Sequence, residues 1–102
     1  MTDTPAPPVL GKIAQRYGIT DGTWIPRPQA LEVLAVTAPT LKRWVAQGLI
    51  SVQAVNSDHG RRYYHLREEL EKVVQVAGRP TSAVVLRRLL TQPAAQLERS
   101  QP

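Results

Sequence analysis

The chain has 102 residues, enough for one domain with tails, and it contains no cysteine, which excludes disulfide frameworks and cysteine-based metal sites. Its opening segment, MTDTPAPPVLGK, reads as neither a signal peptide nor a membrane anchor, and no apolar run approaches the roughly 18 residues of a spanning helix. The net charge of +5 is uneven: residues 36–65 carry Lys42, Arg43, Arg61 and Arg62 against Asp58 alone, and residues 81–102 carry Arg87, Arg88 and Arg99 against Glu98. Elsewhere the charges cancel, so the positive excess lies where a polyanionic partner would need it.

In chain order, the proline-rich lead with Pro5, Pro7 and Pro8 is expected to be disordered. In VLGKIAQRYG, Val9, Leu10, Ile13, Ala14 and Tyr17 fall at helical spacing, with Gly11 inside the pattern and Gly18 at its end. TDGT, residues 20–23, is a turn, and Trp24 and Ile25 suit a very short extended segment. A helix is expected from Pro28 to Leu34, with Ala30, Leu31 and Leu34 on one face. A second follows almost at once, with Thr37 as N-cap, Pro39 in the first turn and Gly48 beyond its end. Two short helices joined by a tight turn make a helix-turn-helix pattern.

LISVQAV alternates as a strand, NSDHG reads as a five-residue hairpin tip, and RRYYH is the returning strand. LREELEKVVQVAG is a helix with Leu66, Leu70, Val73, Val74 and Ala77 on one face and Glu68 four residues before Lys72. Gly78 and Pro80 stop it, and a last helix, SAVVLRRLL, starts at Thr81 or Ser82 with an apolar stripe of Val85, Leu86, Leu89 and Leu90. The tail beyond is expected to fray.

At 100° per residue, Leu41, Trp44 and Val45 of the helix from Ala38 to Gln47 point inward. Pro39, Lys42, Arg43 and Ala46 point outward, with Thr40 and Gln47 at the margin. Such a helix suits a DNA major groove, where Arg and Lys reach guanine and Gln reaches adenine. The bland alternative is a solvated helix face. The hairpin offers Asn56, Ser57, His59, Arg61, Arg62, Tyr63 and Tyr64 for phosphate or minor-groove contact; the alternative is a solubilising hairpin with one of the tyrosines in the core.

Residues 24–50 and GRRYYHLREELEKVV resemble the winged helix-turn-helix of the MerR-like superfamily, most of all its small excisionase branch. Val36, Thr37, Thr40, Leu41, Arg43, Trp44, Gly48 and Leu49 fit that family's recognition segment. Gly60, Arg61, Arg62, Tyr63, Glu69 and Leu70 fit its wing and third helix. The resemblance implies a mostly α fold with a small β-hairpin wing, base readout by the recognition helix, and wing arginines on the backbone or minor groove. The residues placed on DNA are then Thr37, Ala38, Pro39, Thr40, Lys42, Arg43 and Gln47 of the helix, and Asn56, Ser57, His59, Arg61, Arg62 and Tyr64 of the wing. The chain departs from the family at Arg27, where a capping Ser or Thr is usual, and at Pro39, where a polar residue is common. It lacks the long coiled coil and effector domain of larger members, so no ligand-sensing role is implied.

These readings divide the chain into a lead (1–8), an accessory helix and turn (9–23), a DNA-binding domain (24–78), an accessory helix (79–91) and a flexible tail (92–102). The expected function is sequence-specific binding of double-stranded DNA by a small architectural or regulatory factor, such as an excisionase or transcription regulator. The expected location is the cytoplasm, at the nucleoid. Partners are DNA, a second copy of the chain as a dimer or head-to-tail neighbour, and an integrase or recombinase; no membrane is involved. The alternatives are a plasmid-segregation or phage-packaging DNA-binding subunit, or a protein-interaction adaptor working through Val85, Leu86, Leu89 and Leu90. That same stripe either folds back on Val9, Ile13 and Tyr17 or makes a protomer contact. His59 and His65, six residues apart without a third ligand, do not suggest a metal site. Glu68, Glu69 and Glu71 suit a helix start rather than acid catalysis. With no nucleophile motif and no phosphate loop, neither enzyme activity nor a cofactor is expected.

Overall fold

The computed structural model describes residues 4–79 and 82–91. In chain order the elements are β1 (Thr4–Pro5), α1 (Lys12–Arg16), β2 (Trp24–Pro26), α2 (Arg27–Leu34), α3 (Ala38–Ala46), β3 (Gln53–Ser57), β4 (Gly60–Leu66), α4 (Arg67–Ala77) and α5 (Ala83–Thr91). The described residues thus form a mixed α/β fold, with five helices on a four-stranded antiparallel sheet of order β1-β3-β4-β2. The mostly α expectation understated the sheet. The β3–β4 hairpin is extended on both sides, by Thr4↔Asn56 and Pro5↔Val55 on one edge and by Trp24↔Leu66, Ile25↔His65 and Pro26↔Tyr64 on the other.

The lead is therefore not disordered where it is described. Ala6 N–H donates to the Ala54 carbonyl (2.8 Å), and Val9 bridges to Val52. Proline density suggested disorder, but the fixed φ of proline and its missing N–H are tolerated on an outer strand, where Pro5 and Pro26 both lie. Residues 1–3 and the tail from 92 onward lie outside the described residues.

Helix α1 is shorter than its apolar spacing suggested, because Val9 and Leu10 belong to the extended lead. Its N-terminal amides meet the chain after α3: Lys12 N–H donates to the Gly48 carbonyl (2.8 Å) and Ile13 N–H to that of Leu49 (3.1 Å). Gly11 makes this approach geometrically feasible, since a Cβ there would sit 2.5 Å from the Leu49 oxygen.

The turn between α2 and α3 is Ala35–Thr37. Ala35 takes a left-handed conformation (φ 57°), while the Val36 amide donates back to the Leu31 carbonyl (3.1 Å). A side chain there costs about 1 kcal/mol relative to glycine. Thr37 occupies the N-cap position as expected, but its hydroxyl meets that of Thr40 (3.1 Å) rather than a backbone amide. The hairpin tip is tighter than expected: Ser57 pairs with Gly60, so only Asp58 and His59 turn the chain. The Ser57 hydroxyl accepts from His59 N–H (3.3 Å) and donates to the Gly60 carbonyl (3.1 Å).

The core joins Ala30, Leu34, Leu41, Trp44, Leu49 and Ile50 with Ile13, Ile25, Leu70, Val73, Leu86 and Leu89. Each fully buried aliphatic side chain contributes about 1.5–3 kcal/mol. Helix α5 packs against α1 and α4, so Leu86 and Leu89 belong to the chain's own core, with Ile13 among its members and Tyr17 packed against it. Of the two readings of the stripe, the burial of these two residues fits the fold-back, and Val85 and Leu90 are half-buried beside them. Val9, expected beneath this helix, is 63% exposed.

Candidate nucleic-acid interface

Leu41 and Trp44 anchor α3 in the core and fix its rotation. Pro39, Lys42, Arg43 and Ala46 are consequently exposed, as the helical period requires, and Thr37 is exposed at the entry. Ala38, Thr40 and Gln47 are half-buried. The Gln47 Oε1 is buried without a hydrogen-bond partner among the described residues. Lys42 and Arg43 make no ion pair among the described residues, where the ion pair is Arg67–Glu71 (3.3 Å).

The hairpin presents Asn56, His59, Arg61 and Arg62 as exposed side chains and Tyr64 as a half-buried one. Arg61 Nε donates to Asn56 Oδ1 across the strands (2.8 Å), which orients the guanidinium and occupies the Asn56 carbonyl. Ser57 is taken up by the turn that it stabilises. Neither tyrosine enters the core. The buried side chains of this strand are His65 and Leu66 at its far end, where pairing of β4 with β2 puts them opposite Ile25 and Trp24.

His65 connects the sheet to Arg27, a residue that local spacing gave no reason to place at the site. Its Nδ1 lies 2.9 Å from the Ser51 carbonyl oxygen, and its Nε2 accepts from Arg27 Nε (3.1 Å). The Arg27 guanidinium stacks 4.4 Å from the Tyr63 ring centroid. Burial pushes the His65 pKa down to about 4, the Ser51 bond opposing and the Arg27 charge adding to that shift. Burial also lowers the pKa of Arg27 from its usual value. Pro26, Arg27, Pro28, Arg62, Tyr63 and Tyr64 line a cleft of about 340 Å³ at this point.

The interior treats its acid differently. Glu69 is fully buried and accepts from Ala14 N–H (2.8 Å), Ser51 N–H (2.9 Å) and the Ser51 hydroxyl (3.2 Å). Ser51 Oγ in turn accepts from Gly11 N–H (2.8 Å). Desolvation pushes the Glu69 pKa up to about 7 against the pull of those hydrogen bonds. The carboxyl group thus ties α1, α4 and the segment after α3 together, with no open face toward a substrate. Glu68 does not pair with Lys72 as its spacing suggested. It accepts from Thr23 N–H (2.8 Å), and the Lys72 ammonium sits 5.5 Å from the Tyr17 ring centroid. His59 is exposed at the tip while His65 is buried, and the described residues contain no cluster of three His, Asp or Glu side chains able to hold a metal.

Helix α2 packs against both α3 and β4 and so holds the recognition candidate and the hairpin in one frame. Among the described residues, no helix is long and apolar enough to cross a membrane. In comparisons with protein-family models, curated proteins and solved structures, no significant match to this chain was found.

Proposed function

We propose that this chain is a sequence-specific double-stranded-DNA-binding protein in which α2 and α3 act as a helix-turn-helix and the β3–β4 hairpin as a wing. Its role is that of a small architectural or regulatory factor, of which an excisionase or a transcription regulator is the concrete form. The observation that carries this reading is the outer face of α3: Lys42 and Arg43 stand exposed, with no carboxylate bound to them among the described residues, on a helix anchored by Leu41 and Trp44. A thin, rigid, cationic helix face suits the major groove. Arg61 and Arg62 suit phosphate contacts made independently of sequence. A second copy along the DNA and a recombinase are the protein partners that an excisionase role would bring.

No catalytic step is assigned to any residue. Two of the four residues named for the adaptor alternative, Leu86 and Leu89, are enclosed in the core, which favours the DNA-binding reading. The test is footprinting on the DNA upstream of the chain's own gene, followed by titration of the protected duplex with Arg43→Ala. The variant should bind about 1–3 kcal/mol more weakly and discriminate less against altered bases. Parent-like affinity and discrimination in Arg43→Ala would remove α3 from base readout.

A further inference from the structure

Strand β2 stops at Pro26, opposite Tyr64, while β4 continues back to Gly60. Among the described residues the edge of β4 beyond Pro26 is therefore unpaired, and the cleft of about 340 Å³ lies there. Its lining contains two arginines, two tyrosines and two prolines, and no Asp or Glu. The prolines contribute no N–H, so the charged donors come from Arg27 and Arg62.

Arg27 is oriented before any ligand arrives. With Nδ1–H directed at the Ser51 carbonyl, His65 keeps a lone pair on Nε2, and that lone pair holds Arg27 Nε. The guanidinium plane is fixed a second time by the Tyr63 ring. The bond to His65 uses Nε alone, so the two terminal nitrogens of the fork have no hydrogen-bond partner among the described residues. Half-burial weakens solvent screening of this charge.

We infer that this cleft is a phosphate-binding subsite in which the Arg27 fork grips a phosphate oxyanion and exposed Arg62 closes over it. A planar fork held in place matches a phosphate bidentately. On the proposed DNA-binding reading, the phosphate is a backbone diester beside the wing; a free phosphate ester is the other source of the same chemistry. His65 is then a positioning residue that acts through Arg27.

The full-length parent, Arg27→Gln, Arg27→Lys and Arg62→Gln are titrated with a fluorescent mixed-sequence duplex over a range of salt concentrations. In a second arm, adenosine monophosphate is added while the Arg27 Nε–H resonance is followed by NMR. If the site holds DNA phosphate, Arg27→Gln and Arg62→Gln each reduce the slope of log affinity against log salt by about 0.9. Arg27→Lys keeps the slope but loses affinity several-fold, because it retains the charge without the fork. Duplex binding with unchanged slopes in both Gln variants overturns the subsite and leaves the DNA-binding reading intact. No duplex binding, with a saturable shift of the Arg27 resonance that Arg62→Gln weakens, upholds the phosphate site with a free ester as its ligand and overturns the DNA reading. Silence in both arms overturns both. Arg62 is exposed, so its substitution tests the site even if the Arg27 variants fold poorly.

Discussion

On α3 and the hairpin, Lys42, Arg43, Arg61 and Arg62 reach solvent with no carboxylate attached among the described residues, whereas between α1 and α4 the Glu69 carboxyl is wholly enclosed and both its oxygens are engaged. One region leaves its charge exposed. The other uses a polar group to join three segments that apolar packing alone would not register. The comparison separates residues whose loss should unfold the protein from residues whose loss should only weaken binding.

The largest effect expected is that of Leu86→Asp. A carboxylate forced into a site with no exposure should destabilise the fold by about 4 kcal/mol or more in urea denaturation. A parent-like melt would mean that α5 does not pack as described and would return its stripe to the protomer-contact reading. Glu69→Ala comes next. It leaves the Ala14 amide, the Ser51 amide and the Ser51 hydroxyl without their acceptor, at a cost of about 3 kcal/mol. Duplex affinity measured well below the melting transition should be unaltered.

Titration sharpens the same contrast. Glu69, raised from 4.5 to about 7, contributes stability that is complete below pH 4.5 and is lost as pH rises through 7, by about 3 kcal/mol. His65, lowered from 6.5 to about 4, contributes stability present above pH 6.5 and lost as pH falls through 4, by a similar amount. The two slopes oppose each other over the shared window, so parent stability should vary there by less than about 1 kcal/mol. Glu69→Gln should uncover the His65 slope, with stability rising as pH climbs from 4 to 6.5. A steep slope in the parent, or a flat one in the variant, would break the pairing of these two groups. The smallest effect is Ala35→Gly, which should stabilise the fold by about 0.5–1 kcal/mol by relieving the left-handed turn, without altering DNA binding.

Local periodicity made α3 legible: it put Leu41 and Trp44 inside, put Lys42 and Arg43 outside, and ended the helix at Gly48, whose φ is 74°. The apolar stripe of α5 likewise pointed to the fold-back that Leu86 and Leu89 make. What was not legible depends on distant partners. Glu69 sits in an acidic run that reads as a helix start, yet its burial is fixed by Ala14, 55 positions away, and Ser51, 18 away. Strand alternation defines two faces of β4 but not where along the strand each becomes buried; pairing with β2 buries its last two residues, His65 and Leu66, and leaves both tyrosines half-buried. The Arg27–His65–Tyr63 arrangement spans two elements with no shared period, so no local pattern announces it.

The central claim is that the exposed cations of α3 and the hairpin are there for a polyanion. The most direct measurement is the affinity of the parent and of Arg61→Ala/Arg62→Ala for duplex DNA as salt is varied. The account predicts a steep linear fall of log affinity with log salt in the parent, and a slope shallower by about 1.8 in the double variant, with its fold stability unchanged. A parent that binds no duplex, or a double variant with the parent's slope, would contradict it.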